Sequence, residues 1–258
     1  MLLVVDIGNS NIVLGGYEGE RLLFVSRIRT DSRRTDVEYA VLIKEILGLY
    51  GYLPEDISGG IISSVVPPLS GALKNAILLI RRVKVLTVGP GMKTGINIKI
   101  DNPGQLGADL LATAVGAVSK YPLPAVVIDL GTATKITVID KDGSFRGGAI
   151  MPGVIVALNA LAAQTAQLPR ISLEAASVEP IGTNTVDCMK SGSILGTASM
   201  IDGMVERYKE ELGPDISVIA CGGLVEGIVP HCRAEVHTDE NLLLEGLRVL
   251  FVKNTAEK

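Results

Sequence analysis

The chain contains no tryptophan, and aromatic residues make up only 3% of its 258 positions. A core of this size must therefore be built from Val, Ile, Leu and Ala, which suits buried parallel strands flanked by helices. The same scarcity leaves few platforms for stacking bases. A net charge of −4 and a pI near 5.3 give no basic footprint, so nucleic acid is not an expected partner. Three cysteines, Cys188, Cys221 and Cys232, cannot all pair, and a chain long enough to bury a sizeable core needs no disulfide framework. A reducing compartment, the cytoplasm, is expected. The two histidines are also uninformative: His231 and His237 flank Cys232 without a recognisable zinc spacing and read as structural.

Long uninterrupted apolar runs are missing too. The N-terminal MLLVVDIGNS has no basic leader and carries Asp6, so it reads as a first strand. Residues 149–169 are free of charge, but Pro152, Gly153, Asn159, Gln164, Thr165 and Gln167 interrupt them. A buried loop-and-helix is expected there, and no membrane span. Neither a GxxxxGK[ST] loop nor a strand-bounded GxGxxG is present, which disfavours those two nucleotide-binding architectures.

What the sequence does hold is a repeat. LLVVDIG at the start and AVVIDLG near the middle are apolar strands ending in Asp-x-Gly, with Asp6 and Asp129 about half the chain apart. Each is followed by a polar turn, a second strand, a charged Gly hairpin and a third strand. Both halves then supply helix and strand. Residues 35–49 carry apolar positions at helical spacing and 60–66 read as a strand. Residues 187–212 form a long amphipathic pattern, and the strand 216–220 runs into Cys221, Gly222 and Gly223. The expectation is a duplicated α/β molecule, residues 1–118 and 119–258, divided near Pro122 and Pro124 and enclosing a cleft.

The Asp-x-Gly turns carry the chemistry. Asp6, Ile7, Gly8, Asn9, Ser10 and Asn11 put a carboxylate at a strand end beside a glycine and small neutral donors. Such backbone can cradle an anion, and the carboxylate can hold magnesium, usually through water. Asp129, Leu130, Gly131 and Thr132 repeat the design. A single copy is more often a plain hairpin turn; two copies facing one cleft favour a phosphate clamp. Asp109 follows Pro103, Gly104 and Gly107 near a helix start, where Asp commonly steadies the helix dipole. With suitable geometry it could instead take a proton from an attacking hydroxyl. Thr183, Asn184 or Thr185 would cap the long helix.

Taken together, DIGNSN at Asp6, ISSVVPPL at Ile62, GPGMKTGINIK at Gly89, DNPGQLGAD at Asp101 and DLGTAT at Asp129 resemble the type III pantothenate kinases. GGAIMPG at Gly147, LPRI at Leu168, IGTNT at Ile181, CGGL at Cys221 and LLLEGL at Leu242 extend that resemblance over essentially the whole chain. This family, also called the Bvg accessory factors, shares its duplicated ribonuclease H-like fold with actin, sugar kinases and the heat-shock chaperone ATPase. The resemblance implies ATP-dependent phosphorylation of pantothenate, the first step of coenzyme A synthesis, by a homodimer with sites near the subunit interface. It places the ATP phosphates and magnesium on Asp6, Ile7, Gly8, Asn9, Ser10 and Asn11, with Thr132, Gly222 and Gly223 also near the nucleotide. Asp109 would be the proton acceptor, and Gly107, Ala108, Asp109, Leu110 and Thr185 would line the pantothenate pocket. Asp129 would sit at a monovalent-cation site for potassium or ammonium.

Four positions depart from the family pattern, the mildest being Cys221 in place of a small hydroxyl residue. Ile100 stands where a tyrosine is usual and Leu110 where an arginine follows the proton acceptor, so two polar groups of the acceptor pocket are gone. Lys135 replaces a small hydroxyl residue. These departures motivate two alternatives, a kinase for another small alcohol and a catalytically silent nucleotide-binding regulator.

Overall fold

The computed structural model describes residues 1–173 and 178–256. The chain divides into two compact units. One comprises Met1–Ile96, Asp101–Ser119 and Leu242–Lys258; the other comprises Asn97–Ile100 and Lys120–Asn241.

In the first unit, β1 (Leu2–Ile7) pairs antiparallel with β2 (Asn11–Glu18), which pairs with β3 (Arg21–Arg29). Helix α1 (Asp36–Leu49) starts where Thr35 and Glu38 form a capping box, each side chain bonded to the other's backbone N–H. The chain returns through β4 (Gly59–Ser64), parallel to β1, then α2 (Pro67–Ile80) and β5 (Val85–Thr87). The sheet order is β3-β2-β1-β4-β5. Leu3, Val5, Ile7, Ile12, Leu14 and Ile62 on its strands meet Tyr39, Ile43, Leu47, Leu69, Leu73 and Ile77 on the helices. These side chains are almost wholly aliphatic, as a sequence poor in aromatics requires. Helix α3 (Ala108–Lys120) completes this stretch of chain.

The second unit repeats the plan. β6 (Ala125–Leu130), β7 (Ala133–Ile139) and β8 (Phe145–Pro152) form the antiparallel meander. Helices α4 (Val154–Gln164) and α5 (Thr185–Leu212) precede β9 (Ser217–Cys221), which lies parallel to β6. After the short α6 (Val225–Ile228), β10 (His237–Thr238) completes the order β10-β9-β6-β7-β8, the order of the first sheet read from its other edge. Val126, Ile128 and Leu130 on β6, with Ile136 on β7, pack against Ala198, Ile201 and Val205 of α5. The duplication expected from the two Asp-x-Gly strands is thus complete down to strand order and direction.

Two expectations are corrected. The boundary at residue 118/119 does not carry all later residues into the second unit. The last helix, α7 (Leu242–Thr255), belongs to the first, where it lies against β1 and β4. It also crosses α3 closely: a Cβ at Gly246 would lie 1.7 Å from the Ala112 carbonyl, and one at Gly116 would lie 2.2 Å from that of Leu242. Conversely, residues 97–100 join the second unit, with Lys99 N–H donating to the Phe145 carbonyl and Phe145 N–H to that of Asn97. The second correction concerns residues 149–169, which are not buried. On α4 only Val154 and Leu158 are buried, while Ile155, Val156 and Leu161 face outward. Absence of charge there reflects a bare apolar surface. Among the described residues no helix is long and apolar enough to cross a membrane.

Candidate active site

Each unit contributes one Asp-x-Gly turn, and the sheet places both at the same topological position. Asp6 is the penultimate residue of β1, opposite Val13 of β2 and Ser63 of β4. Asp129 is the penultimate residue of β6, opposite Lys135 of β7 and Cys221 of β9. Each central strand has one parallel neighbour, β4 for β1 and β9 for β6, and in open α/β sheets ligands bind outside the carboxyl ends of such strands.

The first turn spans Gly8, Asn9 and Ser10 and is pinned from β3. Gly8 N–H donates to the Asn11 carbonyl at 2.9 Å, and the Thr30 hydroxyl donates to the Gly8 carbonyl at 2.7 Å. Thr30 N–H also donates to the Ser10 carbonyl at 3.0 Å. Asn9, Ser10 and Asn11 are exposed, so their side chains and amides are available to a ligand, while Ile7 is buried in the core and contributes only backbone. Asp6 is half-buried between these regions.

The second turn is one residue shorter, only Gly131 and Thr132, and is held from two sides. Gly153 N–H donates to the Thr132 carbonyl at 3.1 Å, and a Cβ at Gly153 would fall 2.3 Å from that oxygen and 2.4 Å from the Gly131 carbonyl. Gly222 has φ +102° and lies against Leu130, where a Cβ would meet the carbonyl oxygen at 2.7 Å. Only glycine fits either place. The GGAIMPG and CGGL motifs therefore press the turn into shape, a role that tight-turn chemistry alone did not reveal. Thr132 itself is exposed at the tip, and Gly223 beside Gly222 is exposed as well.

Lys135 answers the question its sequence position raised. Its register places it directly across from Asp129 on the same sheet face, and its Nζ lies 2.7 Å from Asp129 Oδ2. Both side chains are mostly buried, Lys135 17% and Asp129 24% exposed. A cross-strand ion pair in this setting is far less screened than one on the surface. In the first unit the residue at the corresponding register position is Val13.

Asp109 lies in the first turn of α3, where a carboxylate is favourable toward the helix dipole. Its Oδ1 sits 2.5 Å from where a Cβ on residue 107 would be, which accounts for Gly107. Gly107, Ala108, Asp109 and Leu110 are all half-buried. In the second unit, Asn184 caps α5 by accepting from Asp187 N–H at 3.0 Å. Next to it, Thr183 and Thr185 line a cavity of about 850 Å³ together with Val154, Leu158 and Met189. Ile100 lies near Gly147, at 3.6 Å from its virtual Cβ, in the segment added to β8. None of the three cysteines is in a disulfide; Cys188 is exposed, and burial with the nearby Asp202 carboxylate pushes the Cys232 thiol up to about 11. A raised pKa of this kind makes the Cys232 thiol a poor nucleophile.

Two sheets of one order, each ending its central strand in an Asp-x-Gly turn, define the actin-like class of ATPases and kinases. Solved structures agree on the fold. A Campylobacter jejuni protein described as a conserved putative Baf family transcriptional activator matches with a TM-score of 0.62 at 18% identity, over 98% of both chains. A ROK family glucokinase from Streptomyces griseus matches with a TM-score of 0.55 at 14% identity, over 96% of this chain and 98% of that one.

The family is narrower than the fold. The model of the type III pantothenate kinase family matches residues 2–207. A type III pantothenate kinase from Exiguobacterium sp. AT1b is 41% identical over 98% of this chain and 99% of its own. Another, from Geobacillus sp. WCH70, is 42% identical over the whole of both. The chain belongs to the type III pantothenate kinases, and its activity is ATP-dependent phosphorylation of pantothenate.

Proposed function

We propose that the Asp6 turn and the Asp129 turn hold the ATP phosphates, with Asp109 accepting the proton of the pantothenate hydroxyl as the γ-phosphoryl group is transferred. Phosphoryl transfer asks little covalent chemistry of the protein, so positioning and charge neutralisation supply most of the catalysis. The observation that carries the reading is the duplicated placement of the two turns at the ends of equivalent central strands. Exposed Asn9, Ser10, Asn11 and Thr132 supply neutral donors, with Gly222 and Gly223 allowing close approach of the nucleotide.

A divalent ion fits Asp6. Among the described residues no group of three or more His, Cys, Asp or Glu could cage a metal. A single hard carboxylate beside a phosphate site is the donor set magnesium uses when phosphates and water complete its shell. When bound, magnesium would neutralise the charge developing on the phosphates. The monovalent cation does not fit Asp129 as expected, because the Lys135 ammonium already lies against that carboxylate.

The acceptor pocket must work without an arginine at 110 or a tyrosine at 100. Thr183 and Thr185, both on the wall of the 850 Å³ cavity, offer hydroxyls to a small polar substrate. On β8, α4, the start of α5 and the residues just before it, Ile150, Ile155, Val156, Leu161, Ile181 and Val186 are exposed, Ile150 at 72% and Ile181 at 82%. An apolar surface of this kind on β8, α4 and the start of α5 supports a homodimer whose contact covers it. Sedimentation of Leu161→Glu beside the native chain tests this: the native chain sediments as a dimer and the variant as a monomer.

The direct test of the catalytic assignment is pantothenate-dependent ADP release by Asp109→Asn. Turnover falls by about 10²–10⁴-fold, the span of general-base catalysis, while ATP binding persists. Undiminished turnover would remove Asp109 from the mechanism.

A further inference from the structure

We infer that the Lys135 ammonium is a built-in replacement for the monovalent cation at Asp129, so that this kinase works without potassium. The inference rests on the kinase reading above. It starts from three observations within one sheet. Asp129 and Lys135 are register partners on β6 and β7, their charged atoms are 2.7 Å apart, and both side chains are largely shielded from water.

A free monovalent cation at an anionic site supplies one positive charge without directional bonds. An ammonium on a four-carbon stem is also a compact point charge, and it remains present at any salt composition. Two single positive charges cannot share one half-buried carboxylate without repelling each other, since like charges in a poorly solvated site are strongly disfavoured. Lys135 and a potassium ion at Asp129 are therefore alternatives, and the lysine is covalently attached. It is also held in place, because the short turn between Asp129 and Lys135 is fixed by Gly153 and Gly222.

The role differs from that of an ordinary cross-strand pair in where it acts. The carboxylate sits at the end of β6, two residues before Gly131, and Asp129 Oδ1 lies 3.2 Å from the virtual Cβ of that glycine. The charge balance of the pair is thus felt by the turn that carries Thr132. In the first unit the residue at the corresponding register position is Val13, which carries no charge.

The test compares the native chain, Lys135→Ala and Lys135→Arg in potassium chloride and in choline chloride at equal ionic strength. Two quantities are read: the melting temperature without nucleotide, and the ATP dissociation constant by calorimetry with magnesium present. The native chain and Lys135→Arg show no potassium-specific rise in melting temperature, and their ATP affinity changes by less than about twofold between the salts. Lys135→Ala gains both responses: potassium raises its melting temperature and tightens ATP by about tenfold, within the usual range of coupling between sites.

A potassium-specific stabilisation of the native chain would overturn the inference, and this outcome does not depend on any variant folding. Indifference of Lys135→Ala to potassium, with ATP affinity unchanged, would overturn it as well by reducing the pair to a strand contact. Failure of the kinase reading is distinguishable, because it would appear as absent pantothenate-dependent ADP release in both salts, while the melting comparison still reports on the cation.

Discussion

The two Asp-x-Gly turns share a strand order, a parallel neighbour and a position at the end of the central strand, yet they are built differently. The Asp6 turn is three residues long, pinned by Thr30 and open at Asn9, Ser10 and Asn11, with Val13 across from the carboxylate. The Asp129 turn is two residues long, clasped by Gly153 and Gly222, with Lys135 across from the carboxylate. Duplication supplies two equivalent frames, and single residues at equivalent register positions then divide the work. In the proposed reading one carboxylate serves a metal that arrives with the nucleotide, while the other is paired with Lys135.

The comparison breaks most visibly at the carboxylates. Asp6→Asn lowers turnover by about 10²–10³-fold, as loss of a transition-state charge contact does, with little change in melting temperature. Asp129→Asn acts in the opposite way. It strands a largely buried ammonium and costs about 2–3 kcal/mol in urea unfolding, somewhat less than a fully buried broken pair because both groups retain some solvent. Equal stability losses for the two variants would erase the distinction.

Backbone packing gives the next effect. Gly153→Ala drives a Cβ into two carbonyl oxygens and costs about 2–3 kcal/mol by the same unfolding measurement. Gly8→Ala, whose Cβ would meet only the Asn11 carbonyl at 3.0 Å, costs about 1 kcal/mol or less. The open turn tolerates what the clasped turn does not.

A transplant sharpens the comparison further. Val13→Lys puts an ammonium where the second unit has Lys135, and it raises the magnesium concentration needed for half-maximal rate by about fivefold. That is the equivalent of about 1 kcal/mol for a partly solvated pair. The smallest effect is Thr30→Val, which removes the hydroxyl bond to the Gly8 carbonyl and costs about 0.5 kcal/mol.

The duplication and its two Asp-x-Gly turns were legible in the sequence because both live in local patterns. Apolar strands ending in Asp-x-Gly fix the turn, the direction of the meander and the neighbouring strand. Asp109 was legible as a helix-start acid, and Thr35 and Asn184 took the capping roles that residues of their kind favour. The partner of Lys135 was hidden, because the second turn is one residue shorter than the first. Only the β6–β7 register shows that residue 135, rather than a neighbour, faces Asp129. The return of α7 to the first unit was equally invisible, since an apolar helix face does not say which sheet it covers. Residues 149–169 misled for a different reason. Composition distinguishes apolar from charged but cannot tell a buried core from an exposed apolar surface.

The division of labour between the turns is tested most directly by calorimetric titration of ATP into Asp6→Asn and Asp129→Asn, each with magnesium and with a chelator. Asp129→Asn is predicted to keep the native gain in affinity on adding magnesium, whereas Asp6→Asn loses it and binds ATP equally weakly in both conditions. A magnesium response that survives in Asp6→Asn and disappears in Asp129→Asn would contradict the account.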